Sequence, residues 1–281
     1  MSRHILPNIP QDMQIANIKP ALLKDLLAKI TGDRTRQAVY ILLNSIFKAA
    51  KFEQLLENNP MELIHKPKHR ATPAIVTPEI YHKLLGAIQG KQAEHLFKFA
   101  WDTGLRRGEI VALRWSDFDI ERATINVSKA RKMGTQEYEG TTKSTYGLRT
   151  VTLSAAATRN LIAWKKLLSE KLLSKGIRLT DGDYIFRAPQ NVMHPMTLTA
   201  LTHLFTGLKK RLKLPENLRF HSFRHTHATI LAEQEISAKK IQVRLGHATA
   251  AFTMDRYVHN TEKMQDGISQ TMDEIAKKYG R

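Results

Sequence analysis

The sequence predicts a mainly α fold with a small antiparallel β-sheet, divided into a short helical unit and a longer α+β unit. Three observations carry this. Apolar residues recur at i, i+3, i+4 and i+7 along most of the chain, which is helix spacing. Alternation at period two is confined to short stretches around Ala123–Ser128 and Gly147–Leu153. The stretch from Lys66 to Pro78, K-P-K-H-R-A-T-P-A-I-V-T-P, mixes prolines with basic residues and reads as a linker. The expected organisation is therefore 1–65, a linker over 66–76, and 77–281.

Taken in order, residues 1–12 are expected to be loosely structured. Ile18–Lys29 reads as a helix with Leu22, Leu23, Leu26 and Leu27 on one face, and Thr31-Gly32-Asp33 ends it. Thr35–Leu56 reads as a longer helix stopped by Asn58-Asn59-Pro60. The second unit opens on Thr77-Pro78, a capping residue followed by proline at the first helical position. Helices are expected over Glu79–Ile88, Ala93–Asp102 and Gly108–Leu113. The two alternating stretches follow as paired strands. Helices are then expected over Ala155–Ser174, Leu198–Leu212, 218–234, 237–245, about 252–259 and Glu262–Tyr279, with a short strand at Tyr184–Phe186.

Bulk composition narrows the function classes. The 281 residues carry 44 Lys+Arg against 26 Asp+Glu, a net charge of +18, spread along the chain rather than gathered in a tail. A folded, strongly basic surface implies a polyanionic partner, most often nucleic acid. With no cysteine, disulfides and thiolate sites are excluded. No apolar run approaches the roughly 20 residues a membrane span needs. The N-terminus has no apolar signal region, so a cytoplasmic protein is expected.

Two constellations carry chemistry. In Thr103-Gly104-Leu105-Arg106-Arg107-Gly108-Glu109, Gly104 allows a tight turn, Arg106 starts the next helix, and Glu109 can reach back to its guanidinium. In the second, L-R-F-H-S-F-R-H-T-H-A-T-I-L places His221 at a helix start and Arg224 one turn later. Phe223, His227, Ile230 and Leu231 share one face of that helix, and Arg224 leans to its buried side, where a guanidinium needs an anion. Gly246 stops the next helix and hands the chain to His247, and M-D-R-Y follows with Tyr257. His225 and His227 read as packing or surface histidines. The spacing of His221 and His225 suits a zinc helix, but the glutamate of H-E-x-x-H is absent.

These motifs, T-G-L-R-R-G-E around Arg106 and Glu109, Lys143 in T-K-S, H-S-F-R with His221 and Arg224, L-G-H with His247 and D-R-Y with Tyr257, occur in an order that resembles the tyrosine recombinase (phage integrase) family. The resemblance covers about residues 75–262 at motif level. It implies a helical core-binding domain followed by an α+β catalytic domain. It implies site-specific recombination of duplex DNA, with Tyr257 as nucleophile and a 3′-phosphotyrosyl intermediate, without metal, ATP or other cofactor. Arg106 and Arg224 would clamp the phosphate, His247 would donate a hydrogen bond, His221 would act as base, and Lys143 would protonate the leaving oxygen. Lys129, Lys132 and Arg149 compete with Lys143 by position, though an arginine cannot lose a proton. Glu109 would orient Arg106. Lys66, Lys68, Arg70, Arg107, Arg244 and Arg256 are expected to face DNA. The resemblance further implies a DNA-bound tetramer joined through the C-terminal helix 262–279, accessory proteins that bend DNA, and a nucleoid-associated location in a bacterial or phage-infected cell. Many members carry an additional amino-terminal domain for which the chain has no room, and the first unit reads as short by a helix or two. Two alternatives stay open: relaxation of DNA like a type IB topoisomerase, and DNA binding with an idle catalytic centre.

Overall fold

The structure, a computed structural model, describes residues 2–10, 12–67, 74–131, 140–141, 148–188, 192 and 194–246. The chain divides into two compact units, Met1–Thr72 and Pro73–Arg281. No helix among the described residues is long and apolar enough to cross a membrane.

The first unit is helical. It contains α1 (Ser2–Ile5), α2 (Pro20–Ala28) and α3 (Asp33–Phe52). Leu23, Leu26 and Leu27 of α2 pack against Val39, Tyr40, Leu43 and Phe47 of α3. Residues 2–8, expected to be loose, are helical, because Ile5 finds a place against this core. Helix α3 ends earlier than the apolar pattern over Thr35–Leu56 suggests. Gln54 takes a left-handed conformation (φ 58°), and Leu55 N–H bonds back to the Ala50 carbonyl, a closure that takes the last apolar residues out of the helix.

The second unit is α+β. Thr77 caps α4 (Pro78–Ile88), its side chain accepting from Ile80 N–H. Then come α5 (Gln92–Thr103) and the one-turn α6 (Arg107–Ile110). Among the described residues, short strands follow: β1 (Phe118–Asp119), β2 (Thr124–Val127), β3 (Lys129–Ala130), β4 (Gly140–Thr141) and β5 (Arg149–Thr152). The antiparallel sheet has the order β1-β2-β5, with Thr124 opposite Thr152 and Val127 opposite Arg149. A separate β3-β4 ribbon extends the hairpin, which the sequence pattern does not foretell. The helices α7 (Ala155–Leu173), α8 (Leu198–Arg211), α9 (Ser222–Glu233) and α10 (Ala238–Leu245) complete the described unit. The short strand expected at Tyr184–Phe186 is not formed. Tyr184 makes one isolated bridge to Arg114, and Ile185 and Phe186 are buried as an irregular segment.

The core of this unit is aromatic where α5, α8 and α9 meet. Phe97 of α5 lies 5.4 Å from Phe223 of α9, 5.8 Å from Phe220 and 6.1 Å from Phe205 of α8, in edge-on or tilted arrangements. This cluster fixes α9 against α5, and α9 carries Arg224. One expected feature of α9 is corrected. Phe223 is buried, but Ile230 is 37% exposed; the buried stripe runs through Arg224, Ala228 and Ala232 instead. The helix also begins at Ser222 rather than 218, since residues 219–221 form turns closed by Ser222 and Phe223 N–H groups.

Replacing Phe97 with alanine should therefore cost about 3–5 kcal/mol of unfolding free energy. Ile230→Ala, on the exposed flank, should stay within about 0.5 kcal/mol. Urea denaturation followed by far-UV circular dichroism measures both.

Candidate active site

The site is built on two turns. After α5, Gly104 takes a left-handed conformation (φ 61°) and caps the helix. The next residues start α6, so Glu109 lies one turn from Arg106. Glu109 Oε2 accepts from Arg106 N–H at 2.8 Å, and Oε1 accepts from Arg106 Nη1 at 2.8 Å. Glu109 does reach back to the guanidinium. Arg106 then extends to the end of α10, donating Nη2 to the Gly246 carbonyl at 2.7 Å and Nη1 weakly to the Leu245 carbonyl at 3.4 Å. Its side chain remains 40% exposed.

Arg224 approaches the same place from α9. It is buried, and donates Nη1 to the Gly104 carbonyl at 3.1 Å and Nη2 to the Leu245 carbonyl at 2.6 Å. The last turn of a helix leaves carbonyls without intrahelical partners and carries partial negative charge, which suits two guanidinium groups. Gly246 (φ 67°) turns the chain out of α10 at this point, toward His247. His221 is exposed at the N-cap of α9, its ring edge-on to His225 at 4.7 Å. Arg106, Glu109 and Arg224 thus meet around the C-terminus of α10, and His221 stands at the N-terminus of the helix that carries Arg224.

A second set of contacts holds α10. His227 Nδ1 bonds the Trp101 carbonyl at 3.0 Å, and Arg244 Nε donates to His227 Nε2 at 3.0 Å. These partners require the Nδ1–H tautomer. Burial and the Arg244 charge push the His227 pKa down to about 4, so the ring is neutral near pH 7. Arg244 also donates to the Thr152 and Asp102 carbonyls, at 3.0 and 2.9 Å. Expected to face DNA, Arg244 is instead turned onto the protein, tying α10 to β5 and α5. Arg107 donates to Thr202 Oγ1 of α8 at 3.0 Å, and Lys66 is exposed in the first unit. Lys68, Arg70, Lys143, His247, Arg256 and Tyr257, and the helices expected over 252–259 and 262–279, lie outside the described residues.

Sequence reasoning weighed Arg149 only as a proton donor and passed over its structural role. It donates Nη1 and Nη2 to the two oxygens of Glu109, at 3.2 and 2.9 Å, and Nε to the Arg244 carbonyl at 2.7 Å. Its side chain is 5% exposed and that of Glu109 is 1% exposed. The signal was present. In G-L-R-T-V-T-L, Arg149 alternates in phase with Val151 and Leu153, both buried, and a buried arginine calls for a carboxylate. Burial pushes the Glu109 carboxyl up, but the hydrogen bonds and charge of Arg149, with the charge of Arg106, outweigh it and hold the group below its ordinary value.

Residues 75–264, more than half of the chain, match the model of the phage integrase family. The chain belongs to the phage integrase family, the tyrosine recombinases, and is an enzyme of DNA strand breakage and rejoining. It is 28% identical over 258 residues to the ICEBs1 integrase of Bacillus subtilis (strain 168), a match covering 90% of this chain and 68% of that protein. It is 25% identical to a XerC-like tyrosine recombinase of Caldanaerobacter subterraneus, covering 94% of this chain and 73% of the relative. The fold is similar to that of the Tn1549 transposon integrase in complex with transposon right end DNA, with a TM-score of 0.77, 23% identity, and coverage of 94% of this chain and 87% of that one. It is also similar to lambda integrase in a tetramer bound to a Holliday junction, with a TM-score of 0.66, 19% identity, and coverage of 88% and 69%.

Two outcomes test the geometry. A Cβ at Gly104 would sit 2.7 Å from the His227 ring and 3.0 Å from Leu245, on a backbone with positive φ. Gly104→Ala should destabilise by about 2–4 kcal/mol, read as a lowered urea midpoint. His227, depressed to about 4 when folded, leaves the unfolded chain holding more protons below its ordinary value of 6.5. Stability should fall with pH through that window, by roughly 3 kcal/mol on reaching the folded value, and the acid slope should flatten in His227→Gln.

Proposed function

We propose that the chain recombines duplex DNA at specific sites, by attack of Tyr257 on a phosphodiester to form a 3′-phosphotyrosyl intermediate. The single observation that carries this reading is the convergence of Arg106 and Arg224 on the Leu245 carbonyl, from two different helices. Two guanidinium groups fixed side by side match the non-bridging oxygens of one phosphate, whose negative charge grows in the pentavalent transition state.

The roles follow from chemistry. Arg106 makes three of its hydrogen bonds to Glu109, Leu245 and Gly246 and stays 40% exposed, so it has donors left to turn toward DNA. Arg224 is buried and rigid, and acts as the fixed half of the clamp. The phenol of a free tyrosine has a pKa of about 10, so Tyr257 needs the field of both arginines and a base. His221, exposed at the head of α9, is that base. His247, one residue past the carbonyl that Arg106 holds, donates to the phosphate. Lys143 protonates the leaving 5′-oxygen. The phosphotyrosyl bond conserves the energy of the broken ester, so a 5′-hydroxyl from another strand can reverse the step.

Duplex DNA is the partner. Tn1549 and lambda integrases of similar fold were solved on DNA, the latter as a tetramer on a Holliday junction, which supports the same assembly for this chain, through the helix its sequence leads one to expect over 262–279. The first unit supplies further DNA contacts: Lys24, Lys29, Arg34, Lys48 and Lys51 are exposed on α2 and α3 and the turn after α2. The neutral His227 and the inward-turned Arg244 support the clamp rather than touch DNA.

Incubating the chain with total DNA of its source cell, quenching with detergent and sequencing covalently attached fragments tests this. The wild type should yield one attachment sequence joined through Tyr257, and Tyr257→Phe should bind the same duplex yet yield none. Absence of a wild-type adduct on every DNA offered would leave a binding protein only, and relaxed plasmid without exchanged ends would indicate a topoisomerase. Binding should also weaken steeply with salt, with a log–log slope of about −0.9 for each phosphate neutralised; a flat response would remove the role given to net charge.

A further inference from the structure

We infer that Arg149 is a positioning residue of this site: by clamping Glu109 and the last turn of α10 together, it sets where Arg106 and the Leu245–Gly246 carbonyls stand. This rests on the reading that Arg106 grips the reacting phosphate.

The geometry is specific. Glu109 is buried, with each oxygen in use. Oε1 accepts from Arg106 Nη1 and Arg149 Nη1; Oε2 accepts from Arg106 N–H and Arg149 Nη2. The arginine on β5 therefore grips the carboxylate with both arms of its fork, which fixes orientation as well as charge. Its remaining arm, Nε, holds the Arg244 carbonyl at 2.7 Å, one residue before the Leu245 carbonyl that receives both Arg106 and Arg224. Among the described residues, one guanidinium thus joins three elements. The α6 turn carries Glu109, β5 carries Arg149, and α10 ends beside the clamp. Neither lysine nor glutamine could make all of these bonds at once.

The charge balance makes the arrangement testable. Among the described residues the charged groups acting on Glu109 are Arg149 and Arg106; the Arg244 guanidinium is directed away, to Thr152, Asp102 and His227. With Arg149 replaced by an apolar side chain, burial acts on Glu109 against Arg106 alone. The carboxyl then takes up a proton at higher pH than in the wild type, and a protonated Glu109 holds Arg106 less firmly.

The experiment uses the full chain and a nicked duplex of the attachment sequence captured above. It compares wild type, Arg149→Met, Arg149→Lys, Glu109→Gln and the Glu109→Gln/Arg149→Met double variant. Covalent attachment at saturating protein is measured alongside DNA affinity and thermal melting. Arg149→Met should attach DNA about a hundredfold more slowly with DNA affinity nearly unchanged, the loss expected for a misplaced clamp. Its rate relative to wild type should fall further as pH is lowered from about 8.5 to about 5.5, as Glu109 is protonated. Its rate relative to the double variant should rise with pH over the same range, since the amide that replaces the carboxyl in the double variant cannot ionise. Arg149→Lys, which keeps the charge, should recover part of the rate and lack the added pH dependence. A wild-type rate in Arg149→Met, or a loss that follows melting and affinity with no altered pH profile, overturns the inference. If Arg149→Met does not fold, Arg149→Lys carries the test: a wild-type rate in it denies any need for the fork. Failure of the wild type itself to attach would overturn the functional reading instead, so the two failures are distinct.

Discussion

A carboxylate taken out of water is costly unless cations meet it, and Glu109 is almost wholly out of water. Arg106 meets it from the start of its own helix, and Arg149 meets it from a strand. The rest of the site depends on this three-membered group. Without it Arg106 would be one more long side chain at a helix start, free to sample many rotamers. With it, the guanidinium is held on one side and reaches the Gly246 carbonyl on the other. The small size of α6 fits this role. Three of its four residues, Gly108, Glu109 and Ile110, are buried, and Gly108 lets the turn press against the next segment, its carbonyl accepting from Arg131 N–H at 3.0 Å. A Cβ there would stand 2.6 Å from the Arg131 carbonyl, so only glycine permits the approach.

The second arginine is held by different means. Arg224 owes its position to the aromatic cluster behind it, where Phe223 packs on Phe97 and Trp101, and to two backbone carbonyls in front. Arg106 is thus held by ion pairing to a buried carboxylate while its own side chain stays partly exposed, and Arg224 is held by hydrophobic packing. These respond to different conditions. Ion pairs that remain partly exposed weaken with salt, whereas packing does not.

The end of α10 is where these arrangements join. Leu245 and Gly246 offer carbonyls that no residue of the helix can satisfy, and the arginines satisfy them. The neutral His227 and the inward Arg244 hold the same helix from its other flank. Four cationic side chains, Arg106, Arg149, Arg224 and Arg244, therefore gather within one small region. They coexist because each is directed to a carboxylate or to carbonyl oxygens. On the function proposed above, a phosphate entering beside Arg106 and Arg224 would be stabilised by this field.

The sequence by itself determined the fold class, the positions of most of the longer helices and the contact between Arg106 and Glu109. Helix spacing is local, so α2, α3, α5, α7 and α8 were legible within a few residues. The Arg106–Glu109 contact was legible as well, because it spans one turn. Gly104 and Gly246 as helix ends followed from their place after apolar runs. The tertiary structure alone decided which partners are distant in the chain. Arg149 finds Glu109 across 40 residues, and Arg224 finds Gly104 across 120, through a sheet and a helix whose relative placement no local pattern encodes. It also reversed the reading of Arg244, which looks like a DNA-facing cation when only its neighbours in sequence are considered. Arginine is ambiguous in sequence because its charge suits a phosphate and a carbonyl cage equally. Only the surroundings supplied by folding decide between them.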